Sequence, residues 1–275
     1  ACPVCSGQGC RNTIPGPGAK GLGTGFIRNY QKWQEICVNM DTIGENRQPD
    51  TQLSLFGRTF DLPVFAAPIG AMKLHYGDLY DDAAYNDILV PACRQAGIAA
   101  FTGDGVDPAV MAAALHAIGA AGGAGVPTIK PWNMELVREK MAAAQAAKPF
   151  AIAMDIDAAG LPFLKNCDPP AGSKTVEELK TIVQWAEKPF LLKGIMTVRG
   201  AEKALAAGAA GIVVSNHGGR VLDQCPATAE VLPEIAAAVG GKLKIFVDGG
   251  IRTGMDVFKA LALGADAVLI GRPFV

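Results

Sequence analysis

The sequence has neither a strong net charge nor a cluster of lysine and arginine residues. Its 275 residues include 25 basic and 26 acidic side chains, for a formal net charge of −1. Proteins that bind nucleic acids or membrane surfaces usually carry a basic patch, so we expect neither kind of partner. A small-molecule ligand is the remaining expectation.

Long apolar runs are also missing. The longest weakly polar stretch, residues 109–125, is rich in alanine and glycine and contains His116, whereas a transmembrane helix needs about 20 strongly apolar residues. The first residues lack the basic-then-apolar pattern of a signal peptide. We therefore expect a cytoplasmic protein. Because the chain starts at Ala1 without a methionine and stops at Val275 directly after a predicted strand, we also expect trimmed ends and a missing last helix.

The seven cysteines lack the spacing of a secreted disulfide framework, which favours a reducing compartment. Cys2, Cys5 and Cys10 form a C-x2-C-x4-C pattern in a head rich in glycine and proline. A closed tetrahedral zinc or iron site needs a fourth ligand, for which Cys37 is the only nearby thiol. We favour free thiols and predict no metal site, with a metal-binding head as the alternative.

Short apolar runs alternate with helical patterns from residue 64 onward. Eight runs predict strands, at 64–69, 98–103, 125–130, 149–156, 189–195, 211–216, 244–250 and 267–272. Seven segments between them predict helices, near 80–95, 107–118, 133–147, 174–186, 197–207, 227–239 and 254–263. This alternation is typical of an α/β fold, the (β/α)8 TIM barrel. A doubly wound sheet is the alternative, but no G-x-G-x-x-G loop follows the first predicted strand.

We divide the chain into an N-terminal extension, residues 1–63, and the barrel, residues 64–275. The extension is expected to contain a loop rich in glycine and proline at 15–25, a helix near 26–37 and a hairpin over 51–64.

Charged side chains stand where the predicted strands end. The C-terminal ends of barrel strands form the mouth that carries the active site. The residues expected to meet there are Lys130, Asp155, Lys193, His217, Arg220, Asp248, Arg252 and Arg272.

The last two strand ends, DGGIR and GR, predict a phosphate site. Loops at these positions of a barrel often bind phosphate through backbone N–H groups and cations. Gly249, Gly250 and Gly271 would let the backbone approach the phosphate, and Arg252 and Arg272 would supply charge. Tight turns with solvated arginines are the alternative interpretation.

His217 is one of three histidines, and its position beside two glycines at a strand end suits a general base. Asp155, at the end of the fourth strand, is predicted to hold the His217 ring and stabilise its protonated form. His75 and His116 are interpreted as packing residues.

Arg220 and Lys193 are the candidate anion-binding residues. The planar guanidinium of Arg220 can bind a carboxylate through two hydrogen bonds, and a surface ion pair with Asp223 is the alternative. Lys193 stands in an otherwise apolar strand, where a buried ammonium requires an anion. A reduced cofactor would be such an anion.

The segments LLKGI (191–195), SNHGGRxLDxxPAT (215–228), VDGGIRTGMDVFKALALGA (247–265) and IGRP (270–273) resemble the FMN-dependent α-hydroxy-acid oxidase and dehydrogenase family. The resemblance extends over residues 26–275 and is most specific from residue 189 onward. The cysteine-rich head resembles a bacterial branch of this family.

The resemblance implies an FMN cofactor, a small 2-hydroxy acid as the substrate and a 2-oxo acid as the product. We also expect a homo-oligomer. His217 would be the base, Asp155 its partner and Arg220 the residue that binds the substrate carboxylate. Lys193 would lie at the N1/O2 edge of the flavin. The other implied cofactor contacts are Pro68, Ile69, Gly70, Lys130 and Ser215 around the ring, Asp248 at the ribityl chain, and Gly249, Gly250, Arg252, Gly271 and Arg272 at the phosphate.

Four features depart from the family pattern. Lys130 occupies the position of a glutamine that touches the flavin, and Trp132 stands near a usual tyrosine. No second substrate-binding arginine follows the strand-four aspartate, and a substrate-binding N-terminal tyrosine has no counterpart that we can place. A redox-neutral FMN isomerase of the same barrel type is one alternative, against which the histidine and arginine of SNHGGR count. A flavin-binding protein without turnover is the other, supported by the missing second arginine. The particular 2-hydroxy acid and the electron acceptor are left open.

Overall fold

A computed structural model describes residues 21–161, 164 and 166–275. The chain first forms helix α1 (Thr24–Glu35) and then a two-stranded antiparallel hairpin, β1 (Leu53–Leu55) and β2 (Arg58–Phe60). The helix and hairpin predicted near 26–37 and 51–64 are thus present. The predictions for the head, which concern Cys2, Cys5 and Cys10, lie outside the described residues.

Eight parallel strands close into a barrel in the order β10-β3-β4-β5-β6-β7-β8-β9. Their bounds are β3 (Val64–Ala66), β4 (Ala99–Thr102), β5 (Gly125–Ile129), β6 (Ile152–Asp155), β7 (Phe190–Ile195), β8 (Gly211–Val214), β9 (Lys244–Val247) and β10 (Ala267–Ile270). Each falls within one of the eight predicted runs, so the predicted TIM barrel is confirmed. The division of the chain at residue 63 stays a prediction.

Helices follow the strands and cover the outside of the barrel. They are α2 (Met72–Tyr76), α3 (Asp82–Gln95), α4 (Pro108–Ala120), α5 (Met134–Ala146), α6 (Val176–Ala186), α7 (Val198–Ala206), α8 (Thr228–Val239) and α9 (Gly254–Ala262). Side-chain caps explain several starting points, because Asp81, Asp107, Asn133, Thr175 and Thr197 each accept a hydrogen bond from the first turn. Helix α2 was not predicted, since five residues are too few to show a helical period.

Alternation along the strands separates the two sides of the barrel wall. Side chains that point inward pack in the lumen, among them Phe65, Phe101, Ala153, Leu191 and Phe246, and the other set packs beneath the helices. Each further step of two residues along a strand brings the next inward side chain closer to the mouth. That periodicity places Lys130, Asp155, Lys193, Ser215 and Asp248 directly above the lumen core.

The hairpin closes the N-terminal end of the barrel. Leu55 and Phe60 are buried in the lumen core. The ring centroid of Phe60 lies 4.9 Å from that of Phe65 and 5.5 Å from that of Phe150, and Phe65 stacks edge-on against Phe246 at 5.6 Å. Aromatic pairs at these distances are favourable beyond the area they bury. The lower end of the barrel is therefore a packed core, and a ligand must enter from the opposite end.

None of the helices in the described part of the chain is long and apolar enough to span a membrane.

Candidate active site

A cavity of about 1300 Å³ lies at the C-terminal ends of the strands. Small-molecule pockets usually measure roughly 300–1,000 Å³, so this one has room for a large cofactor and a substrate together. It brings together fourteen of the predicted site residues, namely Pro68, Ile69, Gly70, Lys130, Asp155, Lys193, His217, Arg220, Asp248, Gly249, Gly250, Arg252, Gly271 and Arg272. Ser215, the other predicted residue, does not line the cavity but supports two residues that do.

The carboxylate that holds His217 is that of Asp157, and the prediction of Asp155 was wrong. His217 Nδ1 lies 3.1 Å and 3.2 Å from the two carboxylate oxygens of Asp157. The strand ends at Asp155, and the chain then turns into a short 3-10 helix, Ile156–Gly160. This turn aims Asp157 at His217, while Asp155 faces the neighbouring strand.

His217 is arranged to accept a proton. Burial lowers its pKa below the usual value and Lys193 adds to that effect, while Asp157 opposes it without reversing it. The ring is therefore neutral at neutral pH. Since Asp157 accepts the hydrogen bond at Nδ1, Nε2 is the nitrogen left to take a proton. The pKa of Asp157, which burial alone would raise, is held below its usual value by His217 and Lys193.

Lys193 is a buried ammonium with partners directly after the ends of β8 and β9. Its Nζ donates to Ser215 Oγ at 2.9 Å and lies 3.3 Å from Asp248 Oδ2. Burial lowers its pKa, but Asp248, Asp157 and Asp155 together outweigh burial, so the pKa stands above the usual value. Ser215 Oγ also accepts the backbone N–H of His217 at 3.1 Å, which ties the lysine to the histidine loop.

Lys130 and Asp155 form a second buried ion pair. Lys130 Nζ lies 2.5 Å from Asp155 Oδ2, with the lysine side chain 13% and the aspartate side chain 4% exposed. Asp155, Asp157 and His217 offer ligand atoms within 4.8 Å of one another. The charges of Lys130 and Lys193 lie close to this group and oppose a metal cation there.

The two arginines of the predicted phosphate site both line the cavity. The Arg272 guanidinium carbon lies 4.1 Å above the centre of the Phe26 ring, and its Nη2 donates to Gly218 O at 3.3 Å. Arg252 Nη1 donates to Ile251 O at 2.8 Å. Phe26 belongs to α1, so this helix contributes to one wall of the site.

Gly249 and Gly250 have a second reason to be glycine. Their φ angles are 89° and 84°, and a Cβ at either position would meet Asn29 of α1. Trp33, also on α1, donates its indole N–H to Gly249 O at 2.8 Å. The glycines therefore allow α1 to pack closely against the loop after β9, independently of any ligand.

Arg220 lines the cavity and interacts electrostatically with residues of α2. His75 and Tyr76 of that helix line it too, so the interpretation of His75 as a packing residue was wrong. Burial lowers the His75 pKa to about 4, assisted by the positive charges of Arg220 and Lys130. Burial also lowers the pKa of Arg220, with Tyr76 opposing it.

Sequence reasoning missed Asp157 and the two α2 residues. A signal for Asp157 was present, since DID places a second aspartate two residues after the first. No comparable pattern marks His75 or Tyr76, because α2 is short and the residues reach the cavity through its position over the mouth.

The residues at the mouth fit FMN. Asp248 Oδ1 and Arg252 Nε are buried without a hydrogen-bond partner among the described residues, and buried polar groups normally have one. A ribityl hydroxyl can donate a hydrogen bond to the Asp248 carboxylate, and a phosphate can accept one from the Arg252 guanidinium. The buried ammonium of Lys193 suits negative charge on a flavin ring.

A family model described as "FMN-dependent dehydrogenase" matches residues 17–166 and 164–275. The chain is similar to a 4-hydroxymandelate oxidase of Amycolatopsis orientalis, with 31% identity over 97% of this chain and 84% of the relative. A 2-hydroxyacid oxidase of Dictyostelium discoideum is 55% identical over 103 residues, which are 38% of this chain. The alignment spans only 26% of that relative's length.

Solved structures give the same picture. A mandelate oxidase variant crystallised with 2-hydroxy-phenylacetamide superposes with a TM-score of 0.78 and 31% identity, covering 93% of this chain and 78% of that one. A Pediococcus acidilactici structure described as a putative lactate oxidase gives a TM-score of 0.77 at 28% identity, covering 93% of this chain and 75% of that one.

Proposed function

Since the chain belongs to the FMN-dependent dehydrogenase family, we propose that it oxidises a small L-2-hydroxy acid to the corresponding 2-oxo acid. Its cofactor is FMN. The observation that carries the proposal is a neutral histidine, held by a carboxylate at 3.1 Å, in the same cavity as an arginine and a buried lysine. Relatives named as mandelate, lactate and 2-hydroxyacid oxidases support it.

FMN would be held by residues at both ends of the cavity. Gly271, Arg252 and Arg272 would hold the phosphate, Asp248 the ribityl chain, and Lys193 the pyrimidine edge of the ring. When bound, FMN would supply the acceptor for the hydrogen on the 2-carbon of the substrate together with the two electrons of its C–H bond, while the hydroxyl proton goes to His217.

Arg220 binds and orients the substrate. Its planar group forms two parallel hydrogen bonds with a carboxylate, which fixes the position of the adjacent 2-hydroxyl carbon. Burial of the guanidinium strengthens this interaction, because charges attract more strongly where water is excluded.

His217 takes the proton from the substrate hydroxyl at Nε2. Asp157 stabilises the positive charge that then forms on the ring, and it keeps the ring in the tautomer that leaves Nε2 free. Lys193 holds its proton throughout and balances negative charge that develops at its end of the cavity.

Anaerobic mixing tests this function. The purified protein, loaded with FMN, is mixed with a panel of small 2-hydroxy acids, the D enantiomers serving as controls. We expect L acids to bleach the flavin absorbance, near roughly 450 nm, and to yield the 2-oxo acid. His217→Gln should retain FMN and lose about 100-fold or more in rate, and Arg220→Lys should raise KM and slow the reduction.

One outcome would replace the proposal. If none of the acids bleaches the flavin, and a redox-neutral substrate turns over only after chemical reduction of the flavin, the protein is an isomerase.

A further inference from the structure

Two buried asparagines join α1 to the loop that carries His217. Asn29 Nδ2 donates to Asn216 Oδ1 at 2.7 Å, and Asn216 Nδ2 donates back to Asn29 Oδ1 at 2.9 Å. Asn29 is 1% and Asn216 is 5% exposed. Asn216 directly precedes His217, so this reciprocal amide pair fixes the chain at the start of the histidine loop.

A second attachment fixes the other end of the same loop. The Asp223 carboxylate accepts hydrogen bonds from Thr24 Oγ1 at 2.5 Å, Leu22 N–H at 2.7 Å and Gly25 N–H at 3.1 Å. Residues 217–222, which include His217 and Arg220, thus lie between two attachments to the N-terminal part of α1 and the residues directly before it.

The loop between these attachments has an unfavourable backbone. His217, Gly218 and Gly219 have φ angles of 57°, 62° and 77°. A non-glycine residue in the left-handed region costs of order 1 kcal/mol or more and persists only where its surroundings impose it. Gly219 packs directly on the backbone of Phe26, where a Cβ would collide. Helix α1 is therefore the surface against which the loop is shaped.

We propose that Asn29 is a positioning residue for the reaction, through which α1 fixes the positions of His217 and Arg220 relative to each other. The inference rests on the proposed function, in which these two side chains act on one substrate. Asn29 is not among the described residues that line the cavity, so it acts through Asn216.

Removing the Asn29 amide deprives Asn216 of both bonds of the reciprocal pair, while its bonds to Gly219 N–H and Pro226 O remain. The loop can then relax away from its left-handed conformation. Displacements of about 1 Å in a catalytic group cost roughly 100-fold in rate. We therefore expect Asn29→Ala to lower kcat by about 10- to 100-fold, with an unchanged FMN content.

Arg28→Ala is the matched control. Arg28 is on the same helix, but it pairs with Glu230 of α8 rather than with the loop. The Arg28→Ala variant should leave kcat unchanged at a temperature where both it and Asn29→Ala are folded. Should Asn29→Ala not fold, Thr24→Ala removes one hydrogen bond to Asp223 and is expected to lower kcat less, in the same direction.

A second measurement does not depend on turnover. NMR titration of the histidine rings in the FMN-loaded protein should show the His217 pKa rising towards its ordinary value in Asn29→Ala, because the loosened ring is less buried. The Arg28→Ala titration should match that of the unmodified protein.

The outcomes separate the two ideas. An unchanged kcat and an unchanged His217 titration in Asn29→Ala, with only a lower melting temperature, would make Asn29 a purely structural residue. If the unmodified protein oxidises no 2-hydroxy acid, the proposed function fails, while the His217 titration still decides whether Asn29 positions the ring.

Discussion

Replacement of Asp157 by asparagine isolates the contribution of the carboxylate behind the base. Two unit charges 3.1 Å apart attract by roughly 5 kcal/mol at an effective dielectric constant near 20. Only the part of this attraction that exists as His217 becomes positive contributes to the rate, and each 1.4 kcal/mol corresponds to about tenfold. An asparagine can also donate to Nδ1 and so select the wrong tautomer, which costs about 10⁴-fold in serine proteases.

We expect Asp157→Asn to slow flavin reduction by roughly 10²- to 10⁴-fold, with FMN still bound. Stopped-flow absorbance under anaerobic conditions measures the rate directly. In the unmodified protein, kcat/KM should fall as the pH drops through a pKa below 6.5, because burial lowers the His217 pKa and the protonated ring cannot act as a base. In Asp157→Asn this limb should move to still lower pH, since the carboxylate that raises the pKa is gone.

Asp155→Asn is the matched control, because it removes a carboxylate that pairs with Lys130 instead of His217. Asp155→Asn should shift the acidic limb of the kcat/KM profile less than Asp157→Asn does. The reasoning is refuted if Asp155→Asn loses as much rate as Asp157→Asn, or if Asp157→Asn reduces its flavin normally.

Two further predictions concern stability. The His75 pKa is about 4 when folded, against 6.5 ordinarily, so between those pH values the unfolded chain binds more protons and stability should fall as the pH drops. Urea titrations across this pH range should show that the free energy of unfolding depends less steeply on pH in His75→Gln than in the unmodified protein. His116→Gln, at an exposed position, is the control and should keep the slope of the unmodified protein; equal slopes in all three proteins would contradict the expectation. Gly250→Ala should lower the melting temperature by several degrees more than Gly57→Ala, because both have positive φ but only Gly250 faces Asn29; equal losses would mean that α1 adjusts freely.

The ends of the predicted strands were enough to bring most of the expected site residues into one cavity, and strand alternation explains why. Lys193 and Asp248 stand two residues beyond inward-facing Leu191 and Phe246, so a period of two already aims them into the mouth. The same rule fails once a strand ends. Asp155 is the last residue of β6, and a 3-10 turn, which follows a different period, directs Asp157 at His217.

Contacts between residues that are distant in the sequence were also not predicted. Sequence reasoning interpreted Gly249 and Gly250 as phosphate-binding or turn residues, since nothing local reveals that Asn29 packs on them. The same holds for the pairing of Asn29 with Asn216, which are 187 residues apart. Such contacts depend on how the N-terminal helix docks, and a single sequence does not specify that.

The aromatic packing beneath the site affects the order in which molecules can react. Phe60, Phe65 and Phe246 seal the barrel floor together with the β1–β2 hairpin, so the chamber is a dead end. In the proposed reaction, the 2-oxo acid product must leave by the route its precursor used, and the electron acceptor that reoxidises the cofactor must approach by that route as well. While the hydroxy acid or its product occupies the cavity, the electron acceptor cannot enter. Steady-state kinetics with both reactants varied should therefore give parallel double-reciprocal lines, with excess hydroxy acid inhibiting in competition with the electron acceptor.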